Sequence, residues 1–292
     1  MISVLVCTYN HEKYIAQTIE GIMMQKCHIP FEVLVGDDCS TDHTRDVVSK
    51  YAEQYPEKIR LIYPETNIGA SNNLVNLIKN AKGEIISICD GDDYWCVDNV
   101  LQLQWDALYK NKKIGMFCAR AKCYCQEKGI FNGFIGSSVA ESLHNMVLSY
   151  EDVAAPTICM RRELLVQCIS ESDWYIKQNY FYDSIIAYWF AYNSKIRYLD
   201  KVIAVYRVLE KSASHTNDYQ IQNKYDRRYF SVKWHFLLTN NVFSSEEIYN
   251  LLMKEYDSAC ALREWYAVRR VTESYAYKIG KMIMKLISFF TK

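Results

Sequence analysis

Asp90-Gly91-Asp92-Asp93 places three carboxylates within four residues, directly after the apolar run Ile85-Ile86-Ser87-Ile88-Cys89. In open α/β sheets the C-terminal ends of strands face the ligand crevice. Negative charge concentrated there is costly unless a cation neutralises it. A hard divalent ion held through oxygen, with substrate phosphates completing its shell, suits this donor set. In an extended segment residues i and i+2 point to the same side, so Asp90 and Asp92 can converge on one ion or one nucleotide. A solvated acidic turn is the alternative, and these residues alone leave it open.

Three more polar loops accompany the acidic one. Thr8-Tyr9-Asn10 follows the apolar run 3–7. Asp37-Asp38-Cys39-Ser40-Thr41-Asp42 follows the run 31–36. Asn67-Ile68-Gly69 follows the run 59–63. The continuous apolar character of these runs is that of parallel strands covered on both faces. Between them, residues 11–24, 42–55 and 72–81 have helical periodicity, the second introduced by the capping types Ser40, Thr41 and Asp42. The alternation predicts an α/β fold built on a doubly wound, mostly parallel sheet. All four loops then share one sheet edge, which makes a site of them.

Beyond the acidic loop, the pattern predicts a helix at 97–111, a strand at 115–124, a flexible Gly/Ser-punctuated loop at 126–150 and a strand at 157–160. A helix from 162, an aromatic helix at 180–192 and a strand at 196–206 follow. After about residue 217 only helical patterns remain, so a domain boundary is placed there. Residues 1–216 form one expected domain and 217–292 a helical extension.

The 292 residues are enough for a large core, and the formal net charge of zero argues against non-specific nucleic-acid binding. The N-terminal residues look like a first strand and not a signal peptide. No apolar run reaches the roughly 18 residues of a membrane helix. The eleven cysteines have no regular spacing. They are expected to be reduced, in a cytoplasmic protein.

The ordered set of loops resembles family 2 glycosyltransferases of the GT-A fold, which implies that 1–216 is the catalytic domain, with 1–95 its nucleotide half and 96–216 its acceptor half. Ser3–Asn10 is similar to the family's opening strand and T-Y-N turn, 32–42 to its V-V-D-D-x-S-x-D segment, Asn67-x-Gly69 to its N-x-G turn, and Gly83-Glu84 with Asp90-Gly91-Asp92-Asp93 to its metal motif. The resemblance implies that Thr8, Tyr9 and Asn10 line the nucleotide pocket, with Asn67 and Gly69 beside them. Asp37 or Asp38 would bond the donor base. Asp92 would ligate Mn²⁺ or Mg²⁺, and Asp90 would contact ribose, metal or metal-bound water. The ion would neutralise the leaving diphosphate, a load that falls to it because the chain has no phosphate loop with a lysine. Asp93 is expected to cap the next helix, and His11 to be a surface or cap residue. Many members carry an arginine soon after N-x-G. Here Ala70-Ser71-Asn72-Asn73 stands instead, with Asn72 or Asn73 as its substitute.

An inverting transfer needs a general base for the acceptor hydroxyl. The family's E-D pair corresponds to Tyr182-Asp183, which makes Asp183 the expected base and Asp173 the runner-up; a helix cap is the structural alternative for Asp183. Pro156-Thr157 with Met160-Arg161-Arg162 resembles the acceptor-side strand. Tyr206-Arg207 with Ser212-x-Ser214-His215 resembles a late Y-R-x-h-x-x-S segment. Arg207 or His215 would close over the diphosphate, and His215 is also a candidate metal ligand. Residues 273–292 are amphipathic and lysine-rich, the composition of an in-plane membrane anchor or of a helix packed on the catalytic domain or a second subunit.

The expected activity is hexosyltransferase-type transfer from a nucleoside-diphosphate sugar, uridine by default, to a glycan or lipid-linked glycan in surface polysaccharide synthesis. The enzyme would be cytoplasmic, or peripheral at the inner face of the membrane. Two rivals remain: a non-catalytic nucleotide- or sugar-binding subunit, and a nucleotidyltransferase. The second would normally open with a Gly-rich loop and a lysine, which Thr8-Tyr9-Asn10-His11 lacks.

Overall fold

The computed structural model describes residues 1–149, 153–173, 182–209, 233–234 and 243–254. The chain divides into two compact units, Met1–His235 and Phe236–Lys292.

In the first unit β1 (Ile2–Thr8), β2 (Phe31–Asp37), β3 (Ile59–Ile62) and β4 (Ile85–Ile88) alternate with α1 (Ile15–Met23), α2 (Thr44–Gln54) and α3 (Ala70–Asn80). β1 lies between β2 and β4, and β3 flanks β2, all in parallel. This is the predicted parallel half. β1 is buried along its whole length, and Ile2, Val4, Leu5 and Val6 have no exposure. Each such side chain contributes about 1.5–3 kcal/mol on burial.

The second half turns antiparallel. β5 (Tyr94–Trp95) and α4 (Val100–Tyr109) are followed by β6 (Ile114–Cys125), β7 (Ile130–Ile135) and α5 (Leu143–Ser149). Then come β8 (Cys159–Arg161), α6 (Arg162–Glu171), α7 (Tyr182–Asn193) and β9 (Lys195–Val208). Among the described residues one sheet runs β3-β2-β1-β4-β8-β6-β9-β5, with β7 paired to β6. β8 runs antiparallel to both β4 and β6, and β9 parallel to β6. β5, two residues long, pairs antiparallel with β9 through Tyr94↔Val205 and Trp95↔Ala204.

Two expectations change. Residues 126–149, within the 126–150 segment expected as a flexible loop, hold β7, a 3-10 turn at Ser138–Glu141 and α5. Gly129, with φ +66°, makes the β6–β7 turn and donates its N–H to the Cys125 carbonyl at 2.9 Å. β7 is exposed almost throughout, so its sequence lacks the period-2 apolar signal of a half-buried strand. The helix predicted at 97–111 is shorter, because buried Gln25 intervenes. Its Nε2 donates to the Val97 carbonyl at 2.7 Å, and its Oε1 accepts the Val100 N–H at 2.7 Å. The Gln25 side chain therefore caps α4.

Of the second unit, residues 245–254 are helical. Ser244 and Glu247 close a capping box: the Ser244 N–H donates to Glu247 Oε2 at 2.8 Å, and the Glu247 N–H to Ser244 Oγ at 3.2 Å. The amphipathic segment 273–292 and the boundary expected near 217 lie outside the described residues. No helix among the described residues is long and apolar enough to cross a membrane.

Candidate active site

The C-terminal ends of β1, β2 and β4 meet on one edge. Thr8 pairs with Asp37 across β1–β2. The Asp38 N–H donates to the Thr8 carbonyl at 3.0 Å, and the Gly91 N–H to the Cys7 carbonyl at 2.8 Å. The polar loops after these strands are thereby brought together. The fourth loop joins through Asp38, whose carboxylate accepts the Ile68 and Gly69 N–H groups, each at 2.8 Å, while Asn67 Nδ2 donates to the Asp38 carbonyl at 2.9 Å. The polar groups of Asp38, Asn67 and Gly69 are thus engaged with one another.

Asn10 sits in the left-handed region at φ +57°, which asparagine tolerates. Its Oδ1 accepts the Thr41 N–H at 2.8 Å, and its own N–H donates to Ser40 Oγ at 2.9 Å. Tyr9, 44% exposed, presents its ring at the same edge. The buried Asp37 carboxylate accepts from the Ser40 N–H at 3.0 Å, from the Ser40 hydroxyl and from Arg45 Nε. The sequence reading did not single out Arg45. It lies in the first turn of α2 with its guanidinium 4.6 Å from the Tyr63 ring centre, and the bond to Asp37 raises its pKa. A cation in the first turn of the helix after an acidic loop was the available signal. The residues proposed to replace the missing arginine do other work: Asn72 Nδ2 donates to the Ile68 carbonyl at 2.8 Å, and buried Asn73 donates to the Gly36 carbonyl at 2.7 Å.

The acidic loop packs closely on β1 and α1. A Cβ at Gly91 would lie 2.6 Å from Thr8 Oγ1 and 2.9 Å from His11 Nδ1. His11, expected as a surface or cap residue, is partly buried: its side chain is 20% exposed, with Nε2 4.0 Å from Asp92 Oδ2, and its carbonyl accepts the Ile15 N–H at 2.9 Å. Asp93 does not cap a helix. It is buried, and its Oδ1 accepts the Arg207 N–H at 2.8 Å. Burial, and next the Asp92 charge, push its carboxyl well above the usual carboxylate range. Burial, reinforced by nearby carboxylates, likewise raises the Cys7 and Cys89 thiols, which keeps both out of thiolate chemistry.

Arg207 is 5% exposed and enclosed. Nη1 donates to the Asp92 carbonyl, Nη2 to Gln17 Oε1, and Nε to Gln126 Oε1 at 3.1 Å. The Tyr14 and Tyr94 rings lie 5.0 and 4.9 Å from the guanidinium carbon. At the start of α7, Asp183 is half-buried and its Oδ1 accepts the N–H of the next residue, Ser184, at 2.8 Å, while burial raises its pKa. Asp173 is exposed. His215 lies outside the described residues.

Among the described residues no three His, Cys, Asp or Glu side chains form a closed metal cage. A magnesium-type ion takes one or two carboxylates, keeps waters and gains phosphate oxygens from substrate. The Asp90–Asp92 pair, with Asp92 20% exposed on its side chain, fits an ion that arrives with a diphosphate.

The sequence profile described as Glycosyl transferase family 2 matches residues 3–153, more than half of the chain. The chain belongs to glycosyltransferase family 2. An uncharacterised glycosyltransferase of Nostoc is 28% identical over 212 residues, covering 71% of this chain and 64% of that protein. The poly(ribitol-phosphate) β-N-acetylglucosaminyltransferase TarS of Staphylococcus aureus is 42% identical over 94 residues, covering 32% of this chain and 16% of TarS. An uncharacterised Mycobacterium tuberculosis protein, 40% identical over 93 residues, is matched over 27% of its length and 32% of this chain. The chain therefore spans from 16% to 64% of the length of these relatives, less than two thirds of any. Among solved structures, S. aureus TarS 1–349 with UDP-GlcNAc superposes with TM-score 0.59 at 22% identity, covering 84% of this chain and 69% of that one. The mannosyltransferase PcManGT of Pyrobaculum calidifontis with GDP-Man and Mn²⁺ gives 0.60 at 16% identity, covering 100% of this chain and 80% of that one. At these identities the likeness concerns the fold, which is GT-A.

Proposed function

We propose that this family 2 protein transfers a hexose from a nucleoside-diphosphate sugar, a UDP-sugar, to a hydroxyl of a glycan or lipid-linked glycan with inversion, in surface polysaccharide synthesis. The observation that carries the reading is the Asp90-Gly91-Asp92 loop, packed by Gly91 against Thr8 on the same edge as Asp37 and Asn10. The names of the relatives support the substrate class. TarS is known with UDP and UDP-GlcNAc, and TuaG of Bacillus subtilis is named for teichuronic acid biosynthesis.

Asp92, with Asp90, would hold Mn²⁺ or Mg²⁺, which supplies charge neutralisation to the departing diphosphate. Tyr9 and Asn10 line the nucleotide side of the crevice, and the buried Asp37 faces the same edge. Asp183 takes the proton from the acceptor hydroxyl at its carboxylate, and burial suits it to this by raising its basicity. The enzyme works in the cytoplasm or peripherally at the inner membrane face.

Calorimetric titration with UDP, GDP and dTDP, each with Mn²⁺ and with EDTA, tests the reading. Metal-dependent binding of one nucleotide, lost in Asp92→Ala, is expected. Equal binding by wild type and Asp92→Ala would remove Asp92 from the metal.

A further inference from the structure

The acidic loop is held from outside at each of its last three carbonyls. The Thr18 hydroxyl of α1 lies 2.6 Å from the Asp93 carbonyl and 3.0 Å from the Gly91 carbonyl, with the Tyr14 carbonyl of its own helix more distant at 3.5 Å, so its single proton is shared chiefly between the two loop carbonyls. Arg207 Nη1 donates to the Asp92 carbonyl between the two. The register explains the reach of Arg207. Tyr94 faces Val205 in the antiparallel β5–β9 pair, and continuing that register sets Asp92 opposite Arg207.

The geometry of the peptide unit gives these contacts a consequence. Each peptide is planar, so pinning a carbonyl fixes the whole unit. The Gly91 carbonyl belongs to the peptide before the Asp92 Cα, and the Asp92 carbonyl to the peptide after it. With both units pinned, the direction in which the Asp92 side chain leaves the backbone is set, and only its own torsions remain free. The 90–91 peptide is tied at both ends: Gly91 N–H to the Cys7 carbonyl at 2.8 Å, and the Asp90 carbonyl to the Asp93 N–H at 3.0 Å.

We propose that Thr18 and Arg207 are positioning residues that pre-set the Asp90–Asp92 pair for a metal-bound diphosphate, and that Arg207 does not itself contact the diphosphate. The proposal rests on the function proposed above. The guanidinium is buried, clasped by Gln17 and Gln126 and flanked by Tyr14 and Tyr94, so it points into the protein. Its planar fork holds a carbonyl and two amide oxygens at once. A lysine ammonium cannot match that geometry, although it carries the same charge.

Two variants separate the roles. Thr18→Val keeps shape and removes only the hydroxyl; Arg207→Lys keeps charge and removes the fork. Hydrogen exchange is measured on the peptide covering 89–95, alongside titration of UDP, GDP and dTDP with Mn²⁺ and with EDTA. In Thr18→Val we expect exchange at Gly91 and Asp93 to quicken about tenfold, the scale of one hydrogen bond, with protection elsewhere retained. Affinity for the Mn²⁺–nucleotide pair falls by a similar factor, and metal-free affinity is unchanged. Arg207→Lys behaves in the same way. Unchanged exchange in the loop, or a loosened loop with wild-type Mn²⁺–nucleotide affinity, would overturn the proposal. Full rescue by Arg207→Lys would return Arg207 to a simple charge role. If wild type binds no nucleotide with Mn²⁺, the functional reading fails, while the exchange comparison still decides whether the clamp exists.

Discussion

Replacing Gly91 by alanine should displace the acidic loop as a body. The added Cβ would fall 2.7 Å from Thr8 Cβ and 2.6 Å from Thr8 Oγ1. Carbon atoms in contact stand about 3.5–4.0 Å apart, so one side must retreat by roughly 1 Å. Thr8 cannot do so cheaply. It is 3% exposed, paired with Asp37 across β1–β2, and its carbonyl accepts the Asp38 N–H at 3.0 Å. His11 Nδ1, at 2.9 Å, closes the second direction. The loop therefore moves, against the bonds from Thr18 and Arg207. Overpacking of this kind costs about 1–3 kcal/mol. In a unit of this size that lowers the melting temperature by roughly 2–4 °C per kcal/mol. The functional loss should be of comparable size, because a displacement near 1 Å at a reacting centre can cost on the order of 10²-fold, about 2.7 kcal/mol. Differential scanning fluorimetry and Mn²⁺–UDP titration on the same preparation measure both. A Gly91→Ala protein that melts and binds nucleotide like wild type would refute the steric argument and, with it, the tight coupling of the acidic loop to β1.

Further expectations concern separate parts of the site and its support. The raised pKa of Asp183 means that its ionised form, needed for a base, is lost as pH falls through a midpoint above the ordinary carboxylate range, so the acid limb of a kcat–pH profile should lie there and vanish in Asp183→Asn. A carboxyl with a raised folded pKa stabilises the fold only at low pH and loses that contribution as pH rises; Asp183→Asn should thus be no less stable than wild type at pH 7 by urea denaturation, and a clear loss would place Asp183 in a structural role. Glu32 shows the opposite sign. Burial opposes its charge, but Ser3 Oγ and the Lys82 N–H, both at 2.7 Å, and Arg60 at 2.9 Å hold its pKa below the usual value. Its stabilisation is present at neutral pH and lost as pH falls through that lowered pKa. Glu32→Gln should cost about 1–3 kcal/mol at pH 7, with a smaller difference in acid, measured by denaturation at both pH values. Asp38→Ala strands the Ile68 and Gly69 N–H groups and should loosen residues 67–69 in hydrogen exchange, while the 89–95 peptide keeps its protection.

The parallel half of the fold was legible in the residues. Continuous apolar runs at 3–7, 31–36 and 85–89 are what strands covered on both faces require, and the intervening helical periods leave their C-terminal loops one edge on which to gather. That alone brought Thr8, Asn10, Asp37 and Asp90 into one neighbourhood. Local chemistry also spoke plainly where a partner lies a residue or two away, as when Asp42 accepts the Thr44 N–H at 3.0 Å ahead of α2. What each polar group does in that neighbourhood depended on partners far along the chain. Asp93 looked like a cap for the next helix, yet its carboxylate meets the backbone of Arg207, 114 residues away. His11 looked like a surface or cap residue, and its proximity to Asp92 follows from the close approach of Gly91 to β1. The two-residue strand β5 has no periodicity to detect, and it exists because β9 offers its edge. Hydrophobic period is a local property that tertiary packing seldom overrides. Hydrogen-bond partnership across a sheet is set by register, and register is decided only when strands distant in sequence pack together.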